Sequence, residues 1–174
     1  MGRLDERELG AIRWLLGQLL VLISFAGSYT INLGADLLLT TGILVVALSL
    51  FIPHWLEQLS PAVWKVATVL LILAIAGDFL TSGGDLLPPL FRMVALLTLF
   101  RALQIRTPRE DLQILLLALF LLLITGVLSQ DVYFALQILV FAPIAMALLF
   151  TVTLATADPE AAERTRTLRV FRDL

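Results

Sequence analysis

"LFRALQIRTPREDLQILLLALFLLLITGVLSQD", residues 99–131, decides how this chain is read. A turn carrying Arg101, Arg106, Arg109, Glu110 and Asp111 leads straight into a run from Leu112 to Leu128 that is apolar except for Gln113, Thr125 and Gly126. A helix at a water boundary keeps one polar face, and this run keeps none. Its length suits a bilayer, whose hydrocarbon core takes roughly 20 apolar residues to cross. Thr107-Pro108-Arg109-Glu110 marks where the helix begins. Thr107 is placed to cap, Pro108 is preset for the first helical position, and Glu110 stands at the third, the pattern of a capping box.

The same alternation of charged turn and apolar run extends through the chain. It has 174 residues, 60% hydrophobic and 15% charged, with a mean hydropathy of +0.98. Soluble domains carry about 25% charged residues. Six apolar spans can be read, at about 14–31, 35–52, 62–80, 86–100, 112–128 and 132–155. The fourth is short and carries Arg92, and "DLLPP" and "RALQI" are available to lengthen its ends. Ser60-Pro61 predicts the start of the third helix, and Asp158-Pro159 a new start after the sixth. Pro143 is expected to kink the sixth. Gln137, within that span, faces either a neighbouring helix or backbone freed by the kink. The expected fold is therefore an all-α polytopic membrane bundle of about six transmembrane helices, residues 1–157, followed by an amphipathic tail, 158–174. In that tail acidic residues come first and arginines last, as the helix dipole favours, and Leu168, Val170 and Phe171 could rest on the membrane surface.

Charge sets the expected orientation. Arg3, Arg7 and Arg13 precede the first span, Lys65 follows the second connection, and Arg101, Arg106 and Arg109 lie in the fourth. Arg164, Arg166, Arg169 and Arg172 follow the sixth span. With six spans all of these fall on one side. The other connections hold Asp36, Asp78, Asp85 and Asp131. The positive-inside rule puts both termini in the cytoplasm. Ser24-Phe25-Ala26 looks like a signal-peptidase site, but the apolar stretch continues past it, so an uncleaved anchor is expected.

Several chemistries are excluded. The chain has no cysteine and one histidine, His54. Disulfides, thiolate metal sites, a thiol nucleophile and two-histidine metal motifs all fall away. No catalytic, metal or cofactor site is expected. A net charge of −2 offers nothing to nucleic acid. His54 falls at the cytoplasmic interface beside Trp55, an ordinary interfacial anchor, and a pH-sensing role for it is disfavoured; "TSGGD", residues 81–85, reads as a turn. No GxxxG pair marks a tight dimer face. Arg92 is the costly residue, because a charge near mid-helix costs roughly 2.5 to 3.5 kcal/mol on insertion scales. Its candidate partners are Asp85 and Asp78, and structural pairing is favoured over a substrate contact or snorkelling.

The stretch quoted above also resembles the N-terminal membrane domain of TgpA-type bacterial transglutaminase-like membrane proteins. That domain has an apolar helix ending in a K-x-x-E-x-R-x-x-R-D-like turn, then a helix with an FL…SQ ending. Here Arg101 stands at the Lys position and Gln104 at the Glu position. Arg106 and Arg109 match, Glu110 is acidic as in the family, and Phe120-Leu121 and Ser129-Gln130 match the second half. The likeness covers about residues 95–140. "LLPPLFR" replaces the family's Gly-rich or acidic lead-in to the fourth helix. The resemblance implies a periplasmic domain with a papain-type Cys-His-Asp site, reached through a further helix. Lacking cysteine, this chain cannot perform that reaction by itself. The expected role is a non-catalytic membrane domain that anchors or pairs with a transglutaminase-like or other envelope protein, its other partner being the lipid bilayer. The alternatives are a small transporter or channel subunit, with Arg92, Asp78 and Gln137 lining a path, and, less favoured, a membrane enzyme acting on lipid.

Overall fold

The structure, a computed structural model, describes residues 6–29, 35–51, 61–83, 86–104, 107–129 and 132–172. Among these residues there are six helices and no strand. We number them α1 (Glu6–Ser28), α2 (Asp36–Phe51), α3 (Pro61–Thr81), α4 (Leu87–Leu103), α5 (Pro108–Leu128) and α6 (Val132–Arg172). Four contain stretches long and apolar enough to cross a membrane: Leu9–Ser28, Ala62–Thr81, Arg109–Leu128 and Val132–Thr156. At 1.5 Å per residue the 16-residue α2 and 17-residue α4 reach about 24 and 25 Å.

The helix boundaries follow the local chemistry. Pro61 and Pro108 open α3 and α5, where a proline loses no hydrogen bond the helix needs. Gly83, with φ of 62°, turns the chain after α3, and this left-handed conformation suits a residue without a side chain. Two boundaries differ from the sequence reading. The first helix starts at Glu6, because the polar segment before Trp14 consists largely of good helix formers. The last runs unbroken from Val132 to Arg172, so Asp158-Pro159 opens no separate helix. Proline's fixed φ is itself helical, and a long helix can survive the one lost N–H bond.

The first helix is the hub. It packs against α6, α5, α2 and α4, whereas α3 stands at the edge on α4. One core cluster joins α1, α2, α4 and α5 through Val21, Phe25, Leu39, Phe91, Ala95 and Leu121. The other joins α1, α5 and α6 through Leu20, Ala118, Leu122, Phe141 and Leu148. Buried positions follow 3–4 spacing, as in Asp111, Ile114, Ala118, Leu121 and Thr125 on α5. Several polar residues lie on these inner stripes. Gln18, Ser24, Ser28, Thr98, Asp111 and Thr125 are buried, while Leu37, Leu80, Val127, Val132 and Leu139 are exposed. A soluble protein has the opposite arrangement. A greasy exterior around a partly polar interior is what a lipid solvent favours.

Glycines set how closely the helices approach. A Cβ at Gly42 would strike the ring of Phe25 across the α1–α2 contact. One at Gly126 would strike Phe134 across α5–α6, and one at Gly27 the amide of Gln137 across α1–α6. Close packing therefore comes from single glycines that each receive a large side chain, without any GxxxG pair.

Candidate functional site

The polar residues collect at two ends of the bundle and along α1. At the α4–α5 end the charged turn folds onto itself. Thr107 caps α5 in an extended conformation, and its N–H donates to Glu110 Oε2 at 2.6 Å, the reach-back half of a capping box. The other carboxylate oxygen of Glu110 lies 3.8 Å from Arg101 Nη1. Arg101 Nη1 also donates to Gln104 Oε1 at 3.4 Å. The structure thus brings Arg101, Gln104 and Glu110 of the motif together around the start of α5. Arg109 is exposed. Phe120 is half-exposed on the outside of α5 and Leu121 is fully buried inside it. Ser129 caps the end of α5, its N–H donating to the Thr125 carbonyl at 2.7 Å. Arg106, Gln130, Asp85 and His54 lie outside the described residues.

The residue that the sequence reading missed is next to this turn. Asp111 is only 2% exposed and its Oδ2 lies 3.3 Å from Arg13 Nε on α1. Reading Arg13 only as a topology charge concealed the pair. The signal was available, since Asp111 falls on the 3–4 stripe that continues with Ile114 and Ala118. Further into the bundle Gln18 Nε2 donates to the Ala102 carbonyl at 2.7 Å. Ser24 Oγ donates to the Ala118 carbonyl at 3.0 Å, and the hydroxyls of Ser28 and Thr125 lie 3.1 Å apart. A ladder of polar contacts therefore ties α1 to α4 and α5 along most of its length.

At the opposite end Arg92 meets Asp78. Arg92 Nη1 donates to Asp78 Oδ1 at 2.8 Å, joining α4 to α3. The two side chains are 33% and 24% exposed, so the pair sits at a corner of the bundle. It lines a cavity of about 260 Å³ together with Thr81, Ser82, Pro88 and Pro89. At the other end of α3 the ring of Trp64 meets Phe100 edge-on, with centroids 5.8 Å apart and planes at 74°.

Gln137 resolves to the neighbouring helix. Its Nε2 donates to the Ile23 carbonyl of α1 at 3.1 Å, and Gly27 leaves the room for it. Ile23, Ala26, Gly27, Phe134, Gln137 and Val140 line a largely apolar groove of about 310 Å³ between α1 and α6. Among the described residues no group of three or more His, Cys, Asp or Glu side chains could hold a metal ion.

The class of protein these features define is a helical membrane protein with polar contacts between its helices. No family model, curated protein or solved structure matches the chain.

Proposed function

We propose that this chain is a non-catalytic, multi-pass domain of a bacterial inner membrane, serving to anchor or to pair with an envelope partner. In this reading all six helices cross the bilayer and both termini lie in the cytoplasm. The domain is akin to the N-terminal module of TgpA-type transglutaminase-like proteins. The observation that carries the proposal is the use of the interior polar groups. Arg92 with Asp78, Arg13 with Asp111, Gln18 with Ala102, Ser24 with Ala118 and Gln137 with Ile23 all join one helix to another. Groups spent in this way hold a bundle in one arrangement, as an anchor requires. The family kinship draws support from the convergence of Arg101, Gln104 and Glu110 at one turn, three positions of the motif, with Arg101 and Gln104 standing where the family has Lys and Glu.

The second reading, a small transporter or channel subunit, draws on the cavity beside Arg92 and Asp78. A path through it would continue past Ala95 and Thr98 on the same helix, and both are fully buried. Single cysteines at these positions separate the two readings, because the chain has no cysteine of its own. In intact cells Ala95→Cys and Thr98→Cys are expected to resist a membrane-impermeant maleimide until detergent is added. Rapid labelling of both before detergent would overturn the anchor reading in favour of a wet path.

A further inference from the structure

The cavity at the α3–α4 corner combines features that an ion pair made only for packing does not need. Its lining places a cation, Arg92, beside an anion, Asp78, with the hydroxyl-bearing Thr81 and Ser82 alongside. The two hydroxyls have a defined polarity. Thr81 Oγ1 donates to the carbonyls of Gly77 and Asp78 at 3.0 and 3.2 Å, and Ser82 Oγ donates to the carbonyl of Asp78. A hydroxyl has one proton, so to a ligand these two offer acceptor oxygens. With the Asp78 carboxylate the cavity presents a group of acceptors next to one guanidinium.

Its surroundings are apolar. Phe79, Leu80, Leu86, Leu87 and Leu90 are exposed around it in the sequence, and none of the Ala62–Thr81 span is buried. The cavity therefore lies where a membrane-crossing helix ends and an uncovered apolar flank begins. At about 260 Å³ it falls below the roughly 300 to 1,000 Å³ of sites that enclose a drug-sized molecule. It is sized for a headgroup whose chains lie outside along α3.

We propose that this corner binds a phospholipid whose headgroup joins a phosphate to a primary ammonium. Arg92 takes the phosphate, for which a guanidinium is suited. The oxygens of Asp78, Thr81 and Ser82 take the ammonium, whose three N–H donors match three acceptors. A quaternary choline has no N–H to give, and a glycerol headgroup has no cation for Asp78. The site therefore distinguishes phosphatidylethanolamine from phosphatidylcholine and phosphatidylglycerol. This inference rests on α3 crossing the bilayer and is independent of the family resemblance.

The test is lipid retention. The full chain is purified in detergent, equilibrated with an equimolar mixture of the three lipids, and weighed with its bound lipid by native mass spectrometry. Phosphatidylethanolamine is expected to be retained several-fold over the other two. Thr81→Val with Ser82→Ala keeps the ion pair and is expected to abolish the preference, as is Asp78→Asn with Arg92→Gln. Soluble phosphoethanolamine, lacking chains, is expected not to displace the lipid at equal concentration. Equal retention of the three lipids, or an unchanged preference in either double variant, overturns the site. Displacement by phosphoethanolamine overturns the lipid as its ligand. Retention of no lipid of any class would instead overturn the membrane reading on which the site depends.

Discussion

Single residues carry much of the specificity in this bundle, and they do so by being small or charged in an apolar setting. Gly42 admits the fully buried ring of Phe25, whereas Gly77 on α3 has nothing within 4 Å of where a Cβ would stand. Gly42→Ala is therefore expected to lower stability by ~1–3 kcal/mol through overpacking. Gly77→Ala is expected to be neutral or to raise it by up to about 1 kcal/mol through helix propensity. Unfolding in mixed micelles with a denaturing detergent checks both, and equal effects would show that the Phe25 contact is not formed. The buried pair gives a second case. Asp111→Asn alone leaves Arg13 facing a neutral group and is expected to cost ~3–5 kcal/mol, while Arg13→Met with Asp111→Leu recovers most of the loss. The same unfolding measurement reads this cycle, and a double variant no more stable than Asp111→Asn would contradict a paired origin.

At the scale of elements, the first helix and the third are opposites. α1 is buried among four neighbours and held by polar contacts to α4, α5 and α6. α3 packs on α4 through Trp64–Phe100 at one end and Arg92–Asp78 at the other, with none of its membrane-length span buried. Local stability follows such contacts. Backbone amides of α3 are expected to exchange with solvent deuterium well before those of α1 in detergent micelles. Simultaneous exchange of the two helices would mean that α3 is held by more than these two contacts.

Element positions were largely legible in the sequence. A run such as Leu112–Leu128 fixes a helix by length alone, and Thr107, Pro108 and Glu110 fix where it begins. The inward face was harder to read. In water, hydrophobicity separates the inside of a helix from the outside, but here both faces are apolar. What identifies the inner stripe is residue size and polarity, as with Gly42, Thr125 and Asp111. Asp111 was read as a loop charge and Arg13 as a topology marker because their partnership spans two helices remote in sequence. Arg92 was easier, since an isolated charge inside an apolar run demands a nearby acid, and few acids are near.

At the scale of the whole molecule, many large apolar side chains among the described residues are exposed, several polar ones are turned inward, and the positively charged residues alternate with the helices. Four helices contain stretches of membrane-crossing length. The proposed topology requires the shorter α2 and α4 to cross as well. α4 is the critical one, with Arg92 near its start and Arg101 near its end. If it crosses, Ser82 and Gln104 lie on opposite sides of the membrane. If it lies along the surface, they share a side, and the alternation of charges fails from that point on. The direct measurement is labelling of single cysteines at Ser82 and Gln104 in the otherwise cysteine-free chain, with a membrane-impermeant maleimide in spheroplasts. The expected result is that Ser82→Cys reacts in intact spheroplasts and Gln104→Cys reacts only after the membrane is permeabilised. Reaction of both before permeabilisation, or of neither, would contradict a six-span bundle with both termini inside.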